Sequence, residues 1–147
     1  MKKVVFATGN PTKAKRFSKG LQKYDIEVLS LKDLDINIDV DENGKNAIEN
    51  ALIKARACFK KTNMPSIGMD DTLYLENVPS EKQPGLFVRR INGKYLNDDE
   101  LEAYYIQELN KVGGESRAYY ITGLAIITRA GLKTKEIAIN NKNINKD

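Results

Sequence analysis

Residues 2–24 constrain the fold most. Lys2–Ala7 (KKVVFA) runs β-branched and aromatic residues into small ones, the pattern of a short buried strand. Gly9 follows within two residues, and Asn10 and Pro11 suit the N-cap and first position of a helix. That helix is predicted over Pro11–Tyr24, with Ala14, Phe17, Leu21 and Tyr24 on one stripe. Downstream, Ile26–Leu31 reads as a second strand, and Asn46-Ala-Ile-Glu49 resembles a capping box opening a helix to about Asn63. The apolar stripe expected on this helix is Ile48, Ala51, Leu52, Ala55 and Phe59. Two strands, Ser66–Met69 and Leu73–Val78, are expected on either side of Asp70-Asp71. Pro79 to Asn97 reads as a long functional loop or lid. Asn97 then caps a helix with Leu101, Tyr105, Leu109 and Val112 facing the core, stopped by Gly113-Gly114. Arg117–Arg129 and Thr134–Ile139 form an expected hairpin about Ala130-Gly131. Strands alternating with helices before a hairpin predict an α/β fold with a mixed sheet flanked by helices.

Composition narrows the chemistry. The 147 residues suit one domain, expected over 1–139 with a polar tail at 140–147. There is no histidine, which excludes Ser-His-Asp and Cys-His nucleophilic sites and His-ligated zinc. Cys58 is the only cysteine, so intrachain disulfides and CxxC redox chemistry are excluded as well. No apolar run approaches the ~18 residues of a membrane span, and the N-terminus does not read as a signal peptide. A cytoplasmic location is expected. Carboxylates, lysines, arginines, hydroxyls and a hard metal ion remain as the available chemistry. The net charge of +4 is unevenly spread: residues 1–32 carry eight Lys/Arg and two acids, whereas residues 33–50 carry six acids and Lys45. Both signs close together suit a site for a polyphosphate and its metal better than a nucleic-acid face, and charge runs are also commonly plain solvated surface.

Four constellations stand out. Ala7-Thr8-Gly9-Asn10-Pro11-Thr12-Lys13 places a glycine turn before a helix N-terminus, the geometry of an anion site. Lys13 opposes the helix dipole there, which a bound polyphosphate would offset; the alternative is a capped helix with a solvated lysine. Asn50 and Lys54 are i,i+4 neighbours with Glu42 just upstream, so a carboxylate, an amide and an ammonium can converge, or can form an ordinary polar stripe. Asp70-Asp71 reads either as a turn or as a carboxylate pair in which one acid holds Mg²⁺ and its neighbour orients or deprotonates water. Arg89-Arg90, in the long loop, suit a clamp on phosphate.

In order and spacing these stretches resemble the inosine/xanthosine triphosphate pyrophosphatase family, which cleaves non-standard purine nucleoside triphosphates. The matching segments are VVFATGNPTK at 4–13, ENGKNAIENALIKA at 42–55, MDDTLYL at 69–75 and PGLFVRR at 84–90. The resemblance implies that Thr8, Asn10, Lys13 and Lys54 contact the triphosphate, with Arg90 as a further substrate contact. It implies that Glu42 and Asp70 bind Mg²⁺ and that Asp71 is the base acting on the attacking water. It also implies a two-lobed α/β structure with the substrate cleft between lobes, a homodimer, and the reaction NTP + H₂O → NMP + pyrophosphate. Arg16 stands where the family has glutamate, and Leu73 replaces the glycine of its Asp-Asp-Ser-Gly pattern. The family's later Phe-Gly-Tyr-Asp-Pro and Ser-His-Arg motifs are absent, so a shortened product with an altered C-terminus is expected. Two other readings stay open at this point. One is a nucleotide-binding remnant without turnover; the other is a basic nucleic-acid-binding domain stacking bases on Tyr104, Tyr105, Tyr119 and Tyr120.

Overall fold

The computed structural model describes residues 2–79, 84–85, 90–91 and 94–145. Its elements are β1 (Lys2–Phe6), α1 (Pro11–Leu21), a 3₁₀ turn (Gln22–Tyr24), β2 (Ile26–Ser30), α2 (Ala47–Thr62), β3 (Ser66–Leu75), β4 (Arg90–Ile91), β5 (Lys94–Tyr95), α3 (Asp98–Asn110), β6 (Glu115–Thr128) and β7 (Gly131–Asn145). Five strands form one mixed sheet in the order β2-β1-β3-β6-β7, and β4-β5 form a separate antiparallel pair. The expected α/β class with helices flanking a mixed sheet is what the chain adopts. Two compact units divide it: Met1–Asp70 with Gly123–Glu136, and Asp71–Thr122 with Ile137–Asp147. No helix among the described residues is long and apolar enough to cross a membrane.

In the first unit β1 lies parallel to both β2 and β3, pairing Val4 with Val28 and Phe6 with Ile67. Alternate β1 side chains point to opposite faces, and both faces are covered. Val4 and Phe6 join Val28, Ile67 and Ala14 under Phe17 and Leu21 of α1, with the Phe6 and Phe17 rings stacked at 4.5 Å. Val5 and Ala7 meet Cys58 on the other face, beside Leu31, Leu34, Ile38 and Met64. This explains why Val4–Ala7 is a continuous apolar run after the exposed Lys2 and Lys3.

Helix α2 sits closer to the sheet than the sequence pattern predicts. Its buried residues are Ala47, Asn50, Ala51, Ala55 and Cys58, whereas Ile48, Leu52 and Phe59 of the expected stripe are only half-buried. The cause is a pair of glycines. A Cβ on Gly68 of β3 would lie 1.9 Å from the Ala51 carbonyl oxygen, and one on Gly123 of β6 would lie 2.3 Å from the Ala47 carbonyl carbon. Only small side chains fit between backbones this close, so the alanines face the sheet and the larger residues move to the flanks.

In the second unit Leu73, Leu75 and Val78 pack with Ala118, Tyr105, Val112 and Tyr120. Of the expected α3 stripe Leu109 is buried and Tyr105 packs on the core, with Val112 doing so just beyond the helix and Leu101 half-buried; Asn97 and Glu100 complete a capping box. Several boundaries differ from the sequence-based expectation. Strand β7 runs Gly131–Asn145 rather than Thr134–Ile139, and so extends into the expected polar tail, and β3 ends at Leu75 rather than Val78. The helix predicted to Tyr24 leaves α-geometry after Leu21 and tightens into the 3₁₀ turn, ending at Asp25 in the left-handed conformation (φ 60°). Asp70-Asp71 interrupt no strand, because β3 runs unbroken through both. Most of the predicted 79–97 loop, Arg89 included, lies outside the described residues.

Candidate active site

The close seat of α2 brings its polar edge onto β3. Asn50 and Lys54, one turn apart, both reach the carboxylate of Asp70. The Asn50 amide donates to Asp70 Oδ2 at 3.2 Å, and the Lys54 ammonium donates to Asp70 Oδ1 at 3.4 Å and to the Met69 carbonyl at 3.1 Å. Lys54 also forms an ion pair with Glu42, which approaches from the segment before α2. The convergence of carboxylate, amide and ammonium expected for Glu42, Asn50 and Lys54 is therefore present, with Asp70 added to it. Burial pushes the Asp70 carboxyl above the ordinary aspartate range, and Glu42 nearby adds to that rise. The Lys54 charge and the hydrogen bonds from Asn50 and Lys54 act in the opposite direction.

Two carboxylates from separate segments thus share a single ammonium, and a part-buried acid is held where cationic charge is in demand. Among the described residues no group of three or more His, Cys, Asp or Glu could enclose a metal. Two oxygen-donor acids still fit Mg²⁺, which commonly takes one or two carboxylates and completes its shell with water and substrate phosphates.

The predicted anion site stands at the end of β1. Asn10 caps α1 as expected, its side-chain oxygen accepting from the Thr12 and Lys13 N–H groups at 3.0 and 3.3 Å. Thr8 Oγ1 in turn accepts from the Asn10 N–H at 3.1 Å. The cap changes how an anion would be bound. Pro11 has no N–H and the next two are taken by Asn10, so the polar groups this turn presents are chiefly side chains, those of Thr8, Asn10 and Lys13. The space above Gly9 is open, with no atom within 4 Å of where its Cβ would stand.

Asp71 begins the second unit. Its Oδ1 accepts a 2.6 Å hydrogen bond from the Thr122 hydroxyl, and Thr122 is buried. The neighbouring Thr72 hydroxyl donates to the Ile121 carbonyl at 2.8 Å. Sequence reasoning misses Thr122. The available signal is its place among the inward positions of β6, Ser116, Ala118 and Tyr120, where a hydroxyl needs a partner. Arg90 enters through its backbone, paired with Tyr95 across β4-β5. The tyrosines considered for base stacking divide: Tyr105 and Tyr120 pack on the core, whereas Tyr119 is 37% exposed and stacks on Tyr74 at 5.0 Å.

The chain as a whole has known relatives. A family model described as the Ham1 family matches residues 4–142. The dITP/XTP pyrophosphatase of Caldanaerobacter subterraneus subsp. tengcongensis is 36% identical over 129 residues, 86% of this chain and 64% of that protein. The Bacillus anthracis protein of the same name is 33% identical over 141 residues, 95% of this chain and 68% of that one. The chain thus spans just under two thirds of the length of the first relative and slightly more of the second. Among solved structures, a HAM1 protein from Coxiella burnetii superposes with a TM-score of 0.78 at 22% identity, covering 100% of this chain and 75% of that one. A nucleoside-triphosphatase / dITP/XTP pyrophosphatase from Mycobacterium abscessus gives 0.71 at 26% identity, over 95% and 73% of the two chains. The match takes in the β1–α1 turn, the Glu42–Lys54 segment and Asp70-Asp71 alike, and the chain belongs to the Ham1 family.

Proposed function

We propose that the protein hydrolyses non-standard purine nucleoside triphosphates, of the dITP and XTP type, to the monophosphate and pyrophosphate. The observation that carries this reading is the part-buried Asp70 carboxylate, held by Asn50 and Lys54 with Glu42 on the same ammonium. Thr8, Asn10 and Lys13 bind the triphosphate through side-chain donors, with Lys54 and Arg90 as further phosphate contacts. Glu42 and Asp70 hold Mg²⁺, which when bound neutralises phosphate charge and raises the acidity of water. Asp71 accepts the proton of the attacking water. The Thr122 hydroxyl occupies one Asp71 oxygen, which fixes the orientation of the carboxylate. A homodimer and a cytoplasmic location belong to the same reading and rest on family membership.

The test is incubation with XTP, dITP, ITP, GTP and ATP plus Mg²⁺, with the products resolved as pyrophosphate or phosphate. Pyrophosphate and monophosphate from XTP or dITP, in excess over GTP and ATP, is the expected outcome. Release of orthophosphate, or equal cleavage of all five nucleotides, refutes it. Tight binding of Mg²⁺–XTP without cleavage instead favours a nucleotide-binding protein.

A further inference from the structure

We propose that Asn50 is the positioning residue of the metal site, its amide tying the loop that carries Glu42 to the carboxylate of Asp70. The inference rests on the reading above, in which those two acids hold Mg²⁺. Asn50 is 2% exposed and lies in a helix stripe otherwise made of Ala47, Ala51, Ala55 and Cys58. An amide buried there costs stability unless both its ends are bonded, and both are. Its Oδ1 accepts the Gly44 N–H at 2.7 Å, and its Nδ2 donates to Asp70 Oδ2 at 3.2 Å. The partners fix the amide's orientation, since a backbone N–H requires the oxygen and a carboxylate requires the nitrogen. Lys54 takes the other Asp70 oxygen and pairs with Glu42, two residues before Gly44. One side chain therefore orients one acid directly and anchors the loop that carries the other.

Gly44 supplies an independent handle on the same contact. A Cβ at this position would stand 2.6 Å from Asn50 Oδ1, 2.7 Å from Glu49 Cβ and 2.9 Å from the Asn50 backbone nitrogen. Only glycine lets the loop backbone close over the amide. Gly44→Ala removes no polar group, yet it must push the loop and the Asn50 amide apart.

The experiment measures binding of Mg²⁺ alone by calorimetry to wild type, Asn50→Ala and Gly44→Ala, with metal-free thermal melts of each. Loss of an outer-shell partner commonly weakens metal affinity about 10–100-fold. Both variants should therefore bind Mg²⁺ at least about 10-fold more weakly, and excess Mg²⁺ should restore XTP turnover. A merely structural residue would lower the melting temperature and leave the Mg²⁺ affinity of the folded protein unchanged. That result in either folded variant overturns the proposal, and Gly44→Ala carries the test should Asn50→Ala fail to fold. A wild type that binds no Mg²⁺, with or without nucleotide, refutes the proposed function itself and this inference with it.

Discussion

Replacing Gly68 with alanine tests how the site is assembled. The added Cβ would fall 1.9 Å from the Ala51 carbonyl oxygen and 2.9 Å from the Ala51 carbonyl carbon and Ala55 nitrogen, all backbone atoms that no rotamer change can move. Restoring ordinary contact at about 3.4 Å requires α2 to retreat about 1.5 Å from β3. Overpacking of this kind costs about 1–3 kcal/mol. For a chain of this size that is roughly 3–4 °C per kcal/mol, so the melting temperature should fall by roughly 3–12 °C. The same retreat carries Asn50 and Lys54 away from Asp70, where the contacts of 3.2 and 3.4 Å have little slack. Gly20→Ala is the control. Gly20 lies in α1 with nothing within 4 Å of its would-be Cβ, so alanine there should stabilise by about 0.5–1 kcal/mol through backbone entropy. Thermal melts by circular dichroism read both variants. Gly68→Ala melting at or above the wild-type temperature would refute the close seat of α2, and with it the physical origin of the Asp70 cluster.

Three further outcomes follow from the same geometry. Asp70→Asn should raise stability in metal-free buffer. Burial lifts the native Asp70 carboxyl above its unfolded value, so its contribution is full below the unfolded carboxylate range and is lost as pH rises through the native value. The gain should therefore be seen near neutrality and vanish in acid, as read by melts across pH; a gain independent of pH contradicts the assignment. Lys13→Ala should weaken binding of a nucleoside triphosphate roughly 10- to 150-fold, the equivalent of the about 1.5–3 kcal/mol of a charged hydrogen bond, and reduce its salt dependence. An unchanged dissociation constant would make Lys13 a solvated helix residue. Thr122→Val keeps shape but removes the donor to Asp71, so kcat should fall about 10-fold while Mg²⁺–nucleotide binding holds; equal loss of both would show that Thr122 serves packing.

Local signals in the sequence carried the fold far. Asn10, Asn46 and Asn97 each mark a helix start, because a short polar side chain before an amphipathic run has few other uses. The uninterrupted apolar run Val4–Ala7 signals burial on both faces. Contacts set by distant partners were not legible. Gly68 and Gly123 look like unremarkable strand glycines until α2 rests on them, and their presence turns the alanines rather than Ile48 and Leu52 toward the sheet. Asn50 consequently appears in the sequence as part of an exposed polar edge, whereas it is almost fully buried. Asp70-Asp71 reads in sequence as a break between two strands, yet each acid has its own partners, Asn50 and Lys54 for one and Thr122 for the other, and the strand continues. Thr122 lies 51 positions from the acid it serves, a separation across which no local pattern speaks.

Pyrophosphate release from XTP by wild type and by Asp71→Asn, at saturating Mg²⁺ and matched nucleotide occupancy, tests the central claim most directly. Asparagine keeps the size of the side chain and an oxygen for the Thr122 hydroxyl but cannot take up the water proton. Turnover should fall about 10²–10⁴-fold, the usual contribution of a general base, while binding of Mg²⁺–XTP survives. Wild-type and Asp71→Asn protein releasing pyrophosphate at the same rate would contradict the account.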